Sequence, residues 1–280
     1  MRIPFAAILG ILLAVSPAAA QTPPASQPLL VSTEWLADHL RDPNLVTLQT
    51  SQAPAVSEQI PGARLVSHDS LMTMIGGAHD LADPASLVAA LERAGVSNSS
   101  HVVIYGEPMA AGWLFFALEY LGHERVSLLD GGLDKWIAER RAVTAVSVPP
   151  SSGRFQPEVR PQVKSSADAI QNRNDTVAVV DARSQREYAA GHIPGARLLS
   201  WQDVYADAKL QVFKSPEDIA ALFNAAGAAP GKTAITYCQI GLRSSLLYFA
   251  ARYAGLNASN YVGSWSEWSA RGLPTETAPD

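Results

Sequence analysis

The sequence predicts an α/β fold in two tandem copies, and three observations carry that prediction. The hexapeptide Ile60-Pro61-Gly62-Ala63-Arg64-Leu65 returns as Ile193-Pro194-Gly195-Ala196-Arg197-Leu198, at an offset of 133 residues. Two further anchors keep nearly the same spacing: Val103-Ile104-Tyr105 answers Ile235-Thr236-Tyr237, and Gly131 to Trp136 answers Gly263 to Trp268, both at an offset of 132. Anchors in register mark a duplicated domain. Third, short apolar runs alternate with helical patterns, which is the signature of a small parallel sheet with helices on both faces.

Taken in chain order, residues 1–20 read as an export signal. Arg2 supplies the positive end, Phe5 to Val15 is apolar, and Ala18-Ala19-Ala20 offers small residues for cleavage. That apolar run falls short of the roughly 20 residues that a spanning helix needs. Residues 21–145 form the first copy and 164–280 the second. Between them 146–163, with Pro149-Pro150, Ser151-Ser152-Gly153, Pro157 and Pro161, has the composition of a linker. In the second copy Val177 to Val180 and Ala234 to Tyr237 read as buried strands, the latter after a Pro230-Gly231 turn. Ser215 as N-cap and Pro216 at the first helical position open a helix that Gly227 closes, and Ser244 to Ala254 is a second helix ended by Gly255.

Composition narrows the function. A chain of 280 residues that is 48% hydrophobic and 17% charged has ample material for two cores, so wholesale disorder is excluded. The formal charge is -5, from 21 Lys+Arg against 26 Asp+Glu, and no basic run tracks a phosphate backbone, which argues against a nucleic-acid partner. Loss of residues 1–20 removes Arg2 and makes the charge -6. The expected product is a soluble, acidic protein, periplasmic or secreted, with no membrane span. Six His and one Cys show no metal-ligand spacing, so no metal is expected. Gly231-Lys232-Thr233 resembles the end of a phosphate-binding loop, but Gly227 lies one residue too close and a strand follows.

The single cysteine, Cys238, cannot form an internal disulfide although exported proteins favour them. Its plain reading is a small buried core residue. Its neighbours point elsewhere. Cys238 directly follows a strand, and Gln239-Ile240-Gly241-Leu242 separate it from a helix that begins near Arg243 or Ser244. The carboxyl edge of an open α/β sheet is where ligands bind, and a helix N-terminus there aims unpaired N–H groups at an anion. Together with Arg243 that field favours a thiolate, the nucleophilic form of cysteine. Gly241 permits the positive φ with which such a loop curls.

Cys238-Gln239-Ile240-Gly241-Leu242-Arg243 resembles the Cys-x-x-Gly-x-Arg/Thr/Ser loop of the rhodanese-type sulfurtransferases. Asp181-Ala182-Arg183 with Glu187-Tyr188, Gly191-His192-Ile193-Pro194-Gly195-Ala196, and Gly263-Ser264-Trp265-Ser266-Glu267-Trp268 match further motifs of that family. The resemblance covers essentially the whole chain after residue 20 and implies tandem rhodanese-like domains, of which the second is catalytic. Register matching places Gly106 where Cys238 stands, Leu48 near Asp181, Thr50 near Arg183 and Gln59 opposite His192, so the first copy lacks every reactive group.

The resemblance implies a reaction and its residues. Cys238 takes a sulfane sulfur from a small anionic donor, becomes a persulfide, and passes the sulfur to cyanide or a thiol, with no cofactor. Arg243, Arg183, the loop residues Gln239, Ile240, Gly241 and Leu242, and Ser244 form the donor site. For Arg183 an ion pair with Asp181 or Glu187 is an equal alternative. His192 is expected to shape the Pro-Gly turn, Asp181 to cap a turn, and Trp265 and Trp268 to pack, with Trp265 also a candidate to line the cleft. Thiosulfate is the expected donor because Arg243 places a cation in the loop. The mercaptopyruvate enzymes of the family tend to a Cys-Gly-Ser/Thr-Gly-Val loop, and Gln239-Ile240 matches neither pattern. Two other classes compete. Phosphatases on the related fold carry one more residue between cysteine and arginine than the four found here, which counts against them. An exported, non-catalytic persulfide carrier or binding module is the other.

Overall fold

A computed structural model describes residues 28–51, 56–75, 78–145 and 152–278. The expected export signal and residues 146–151 of the expected linker lie outside the described residues. The first half runs β1 (Leu30–Val31), α1 (Thr33–His39), β2 (Leu45–Ser51), β3 (Arg64–Ser67), β4 (Met72–Ile75), β5 (Ala78–Leu81), α2 (Pro84–Arg93), β6 (His101–Gly106), α3 (Pro108–Tyr120), β7 (Val126–Leu129) and α4 (Gly132–Ala138). The second runs β8 (Lys164–Ser165), α5 (Ala167–Gln171), β9 (Val177–Asp181), α6 (Gln185–Ala190), β10 (Arg197–Leu198), β11 (Tyr205–Asp207), β12 (Val212–Phe213), α7 (Pro216–Ala225), β13 (Thr233–Tyr237), α8 (Leu242–Tyr253), β14 (Asn257–Tyr261) and α9 (Ser264–Ala270).

Each half builds a five-stranded parallel sheet, β1-β7-β6-β2-β3 in the first and β10-β9-β13-β14-β8 in the second, which is the same order read from the opposite edge. A short antiparallel hairpin, β4–β5 or β11–β12, follows in each. Parallel strands need both faces covered, and the side chains alternate accordingly. In β6, Val102 and Ile104 join one apolar cluster while Val103 and Tyr105 join another on the opposite face. In β13, Ala234 faces the first of these clusters and Ile235 and Tyr237 a third. Helix starts follow local chemistry: Ser215 Oγ accepts from the Asp218 N–H ahead of Pro216, and Asp83 Oδ1 accepts from the N–H groups of Ala85 and Ser86 ahead of Pro84.

The strand registers correct the sequence alignment of the two copies. Asp181 pairs with Tyr237 in the second sheet, and Gln49 pairs with Tyr105 in the first. The Tyr237 hydroxyl donates to Asp181 Oδ2 at 2.6 Å, as Tyr105 does to Gln49 Oε1 at 3.0 Å. Gln49 and Ser51 therefore hold the places of Asp181 and Arg183, where Leu48 and Thr50 were expected. A one-residue slip moves a strand side chain to the other face, and Leu48 is buried in the core. The offset changes because the connection from Arg183 to His192 is one residue longer than that from Ser51 to Gln59.

The halves are joined through α3 and α8. Gly112 lets the two backbones meet: a Cβ there would lie 2.7 Å from the Cα of Leu246. Phe115 and Phe116 of α3 pack edge-on against Phe249 and Tyr248 of α8, so one apolar cluster continues from the first sheet into the second. At its margin the Tyr248 hydroxyl donates to Glu119, which also pairs with Arg252 at 3.3 Å. Residues 152–163, expected as linker, are laid as a strap on the first half. Gly153 N–H donates to Glu92 O at 2.8 Å and Glu158 N–H to Leu121 O at 2.9 Å, and Phe155 is buried. Lys164 pairs with Asp80 of the first hairpin at 2.6 Å. Among the described residues no helix is long and apolar enough to cross a membrane.

Candidate active site

Cys238 stands one residue past the end of β13, fully buried on the sheet face that carries α8. The loop after it is held from three sides. Cys238 N–H donates to Ser264 Oγ at 3.1 Å, and its carbonyl accepts the Trp265 N–H at 2.9 Å. The Gln239 carbonyl accepts from Ser266 N–H at 3.0 Å, and Gln239 Nε2 donates to Ser266 Oγ at 3.2 Å. The start of α9 thus clamps the first half of the loop. Ile240 packs on the apolar cluster, and Leu242 is buried in it.

Gly241 closes the loop at φ +92°, and its N–H donates to Cys238 Sγ at 3.1 Å. A Cβ at this position would meet Val262 O at 2.6 Å and the ring of Trp113 at 3.2 Å, so only glycine fits. Trp113 belongs to α3, which makes the first half the wall behind the loop. The turn at Gly241 allows α8 to begin at Leu242, one to two residues before the expected start. Ser244 is buried and its hydroxyl donates back to Gly241 O at 3.0 Å, fixing the loop from inside.

Arg243 lies in the first turn of α8 and is paired. Its Nη1 donates to Glu187 Oε2 at 2.8 Å and its Nη2 to Glu187 Oε1 at 2.7 Å. This fork, with help from Ser184, holds the Glu187 carboxyl down at about 2. The bond to the Glu187 carboxylate pushes the Arg243 guanidinium up against the opposing effect of burial, and Cys238 acts on it in the same direction as Glu187. Glu187 is itself held by the capping box of α6: its Oε2 accepts from the Ser184 N–H at 3.0 Å, and Ser184 Oγ accepts from the Glu187 N–H.

Of the two roles open for Arg183, the structure shows the ion pair, and with Asp181. Arg183 is 2% exposed, its Nε lies 3.0 Å from Asp181 Oδ1 and its Nη2 2.7 Å from Oδ2, and Nη2 also donates to Gly191 O at 2.7 Å. Trp265 covers it, with the guanidinium 4.7 Å from the ring centroid. Asp181 also accepts from the Arg183 N–H at 2.9 Å, the turn-capping contact expected of it. Burial and that carboxylate push the Tyr237 phenol up. His192 is buried, stacked on Tyr188 at 3.8 Å with Nδ1 3.0 Å from Tyr188 O, and belongs to the turn. Trp268 is buried core.

The matching position of the first half is closed to a thiol. Gly106 has φ +125°, and a Cβ there would lie 2.2 Å from Thr50 O. The adjoining cavity of about 280 Å³ is lined by Gln49, Thr50, Glu107, Asp134 and Gln211, so the charged side chains that line it are carboxylates. Among the described residues no group of three His, Cys, Asp or Glu side chains gathers to hold a metal. Sequence reasoning missed Ser264, Tyr237 and Trp113, and of the two partners offered for Arg183 the structure takes Asp181, leaving Glu187 to Arg243. Ser264 and Glu187 lie inside recognisable motifs, whereas nothing local distinguishes Trp113.

The model of the rhodanese-like domain matches twice, at residues 32–139 and 164–271. The sulfur carrier protein TtuD of Thermus thermophilus is 32% identical over 273 residues, covering 86% of this chain and 93% of that protein. The thiosulfate sulfurtransferase of Pseudomonas aeruginosa is 31% identical over 86% of this chain and 94% of its own length, and the 3-mercaptopyruvate sulfurtransferase of Escherichia coli 27% over 88% and 97%. The crystal structure of SseA from Escherichia coli shares the fold at a TM-score of 0.75, with 24% identity over 85% of this chain and 99% of SseA.

Proposed function

Because this chain belongs to the rhodanese-like family, in tandem-domain form with sulfurtransferase relatives along its length, we propose that it transfers a sulfane sulfur from thiosulfate to cyanide or a thiol through a Cys238 persulfide. The Cys238 thiolate attacks the outer sulfur of thiosulfate. A Cys–S–S⁻ bond forms, the sulfur–sulfur bond of the donor breaks, and sulfite leaves with the electron pair. The acceptor then attacks the terminal sulfur and restores the thiolate, which is a ping-pong cycle with no net oxidation. The observation that carries this reading is Cys238 Sγ at the start of α8, facing the Gly241 N–H with Arg243 beside it. Preorganised N–H dipoles there stabilise an anionic sulfur before and after transfer. The donor contacts of this reading are Arg243 and the loop from Gln239 to Leu242; Ser244 holds that loop from inside, and Arg183 is committed to Asp181 and the Gly191 turn.

Thiosulfate is favoured over 3-mercaptopyruvate because Arg243 puts a cation in the loop, and a fixed positive charge attracts a dianion more strongly than a monoanion. The test is kcat/KM for both donors in the wild type and in Arg243→Ala. A loss of about tenfold to a hundredfold for thiosulfate, and less for mercaptopyruvate, is expected. Equal losses, or a wild type that prefers mercaptopyruvate by a wide margin, would remove thiosulfate as donor. A persulfide carrier is the second reading, and the relative named as a sulfur carrier favours it; absence of steady-state turnover with every donor would select it. The site is proposed to work outside the cytoplasm, after cleavage near Ala20. N-terminal sequencing of protein from its native host should then start near Gln21, and an intact Arg2 would refute export.

A further inference from the structure

The Arg243–Glu187 pair bears on how a donor enters, and the inference from it rests on the sulfur-transfer reading of the site. An isolated surface pair would mean little. This one is built differently. Both terminal nitrogens of Arg243 are spent on one carboxylate, with 21% and 33% of the two side chains exposed. The carboxylate is fixed in turn by the Ser184 N–H and by Ser184 Oγ at 2.7 Å, and α6 carries it from the end of β9 to the loop after β13. The neighbouring cation, Arg183, is committed to Asp181 and Gly191. Arg243, five residues after Cys238 in the same loop and coupled to it, is thus a cation whose charge is cancelled in the resting protein.

We propose that Glu187 is the positioning residue that masks Arg243, and that an anionic donor reaches the guanidinium by displacing this carboxylate. The exchange is symmetrical in chemistry: one oxyanion leaves the fork and another enters, with no proton moved. A monoanionic carboxylate gains little by replacing a carboxylate. A dianion gains more, since a fixed charge acts on it twice as strongly. The mask thus sets how much of the loop's charge a donor feels, and it keeps the resting cleft from trapping other anions.

Glu187→Gln is the discriminating variant, because glutamine at this position keeps the capping box while removing the charge. Two readouts are needed. The ratio of Cys238 alkylation rates by iodoacetate and by iodoacetamide reports the charge at the sulfur without any donor, and it should rise about threefold in Glu187→Gln. The KM for thiosulfate should fall about threefold to tenfold with kcat unchanged or lower, and that for 3-mercaptopyruvate should move less. Glu187→Asp, which restores the charge, should return the ratio toward the wild-type value. An alkylation ratio that stays constant or falls in Glu187→Gln, or a thiosulfate KM that rises with it, overturns the mask and leaves Glu187 as a strut for Arg243. If no donor is turned over by the wild type, the sulfur-transfer reading fails while the alkylation ratio still decides the mask.

Discussion

Cys238, Gly241 and Arg243 were legible because a lone thiol at a strand-to-helix junction has few structural uses and the glycine and arginine lie within five residues of it. What pairs with them was not legible. Glu187 is 56 positions from Arg243 and reaches it only after β9 and β13 are laid side by side. The Asp181–Arg183 pair was one of the readings its motif offered, but the link of that pair to Tyr237 and to the Gly191 turn was not, because it joins two strand ends. A buried pair is costly to break from one side, because the partner charge stays in the interior. Asp181→Ala should therefore lower stability by about 3 to 5 kcal/mol in denaturant unfolding, while Tyr237→Phe, which removes one hydrogen bond to a charged group, should cost about 1.5 to 3 kcal/mol. A neutral Asp181→Ala variant would show that Arg183 finds water instead.

At the scale of elements, caps and buried runs located two strands and two helices of the second half, β9, β13, α7 and α8, to within a residue or two. The strand from Val177 continues to Asp181, and α7 opens at Ser215 and Pro216 as its sequence indicates. The misses have physical causes. The start of α8 follows a left-handed glycine, Gly241, which lets Leu242 enter the helix at once. The registers of β2 were shifted by one because the repeat offset changes in a connection with no anchor residue. Gly241 is where the loop depends most on one backbone conformation. Gly241→Ala combines a left-handed φ with a 2.6 Å approach to Val262 O, so it should open the loop and cost about 1 to 3 kcal/mol, with a larger proportional loss of activity than of secondary structure. Circular dichroism beside sulfur-transfer rate measures that difference; wild-type rates would mean that the cradle tolerates a looser loop.

At the scale of the molecule, the duplication was plain in the sequence and the union of its halves was not. Helix α3 is apolar on every side, Ala110 to Leu118 being buried, which marks a buried helix without naming its partner. That partner is α8, the helix that carries Arg243, and Trp113 reaches from α3 to the back of the active loop. The copy without a thiol thus packs behind the copy that carries one. One continuous core predicts one cooperative transition: urea unfolding followed by tryptophan fluorescence, with Trp35, Trp113 and Trp136 in one half and Trp201, Trp265 and Trp268 in the other, should coincide with loss of sulfur transfer. Separated transitions would mean independent halves. Transfer through a persulfide requires that sulfur become attached to one atom, Cys238 Sγ. Mass spectrometry of the wild-type protein after thiosulfate should find the peptide containing Cys238 heavier by about 32 Da, one sulfur atom, reversed by cyanide and absent in Cys238→Ser. An unmodified Cys238 peptide, or undiminished sulfur transfer by Cys238→Ser, would contradict it.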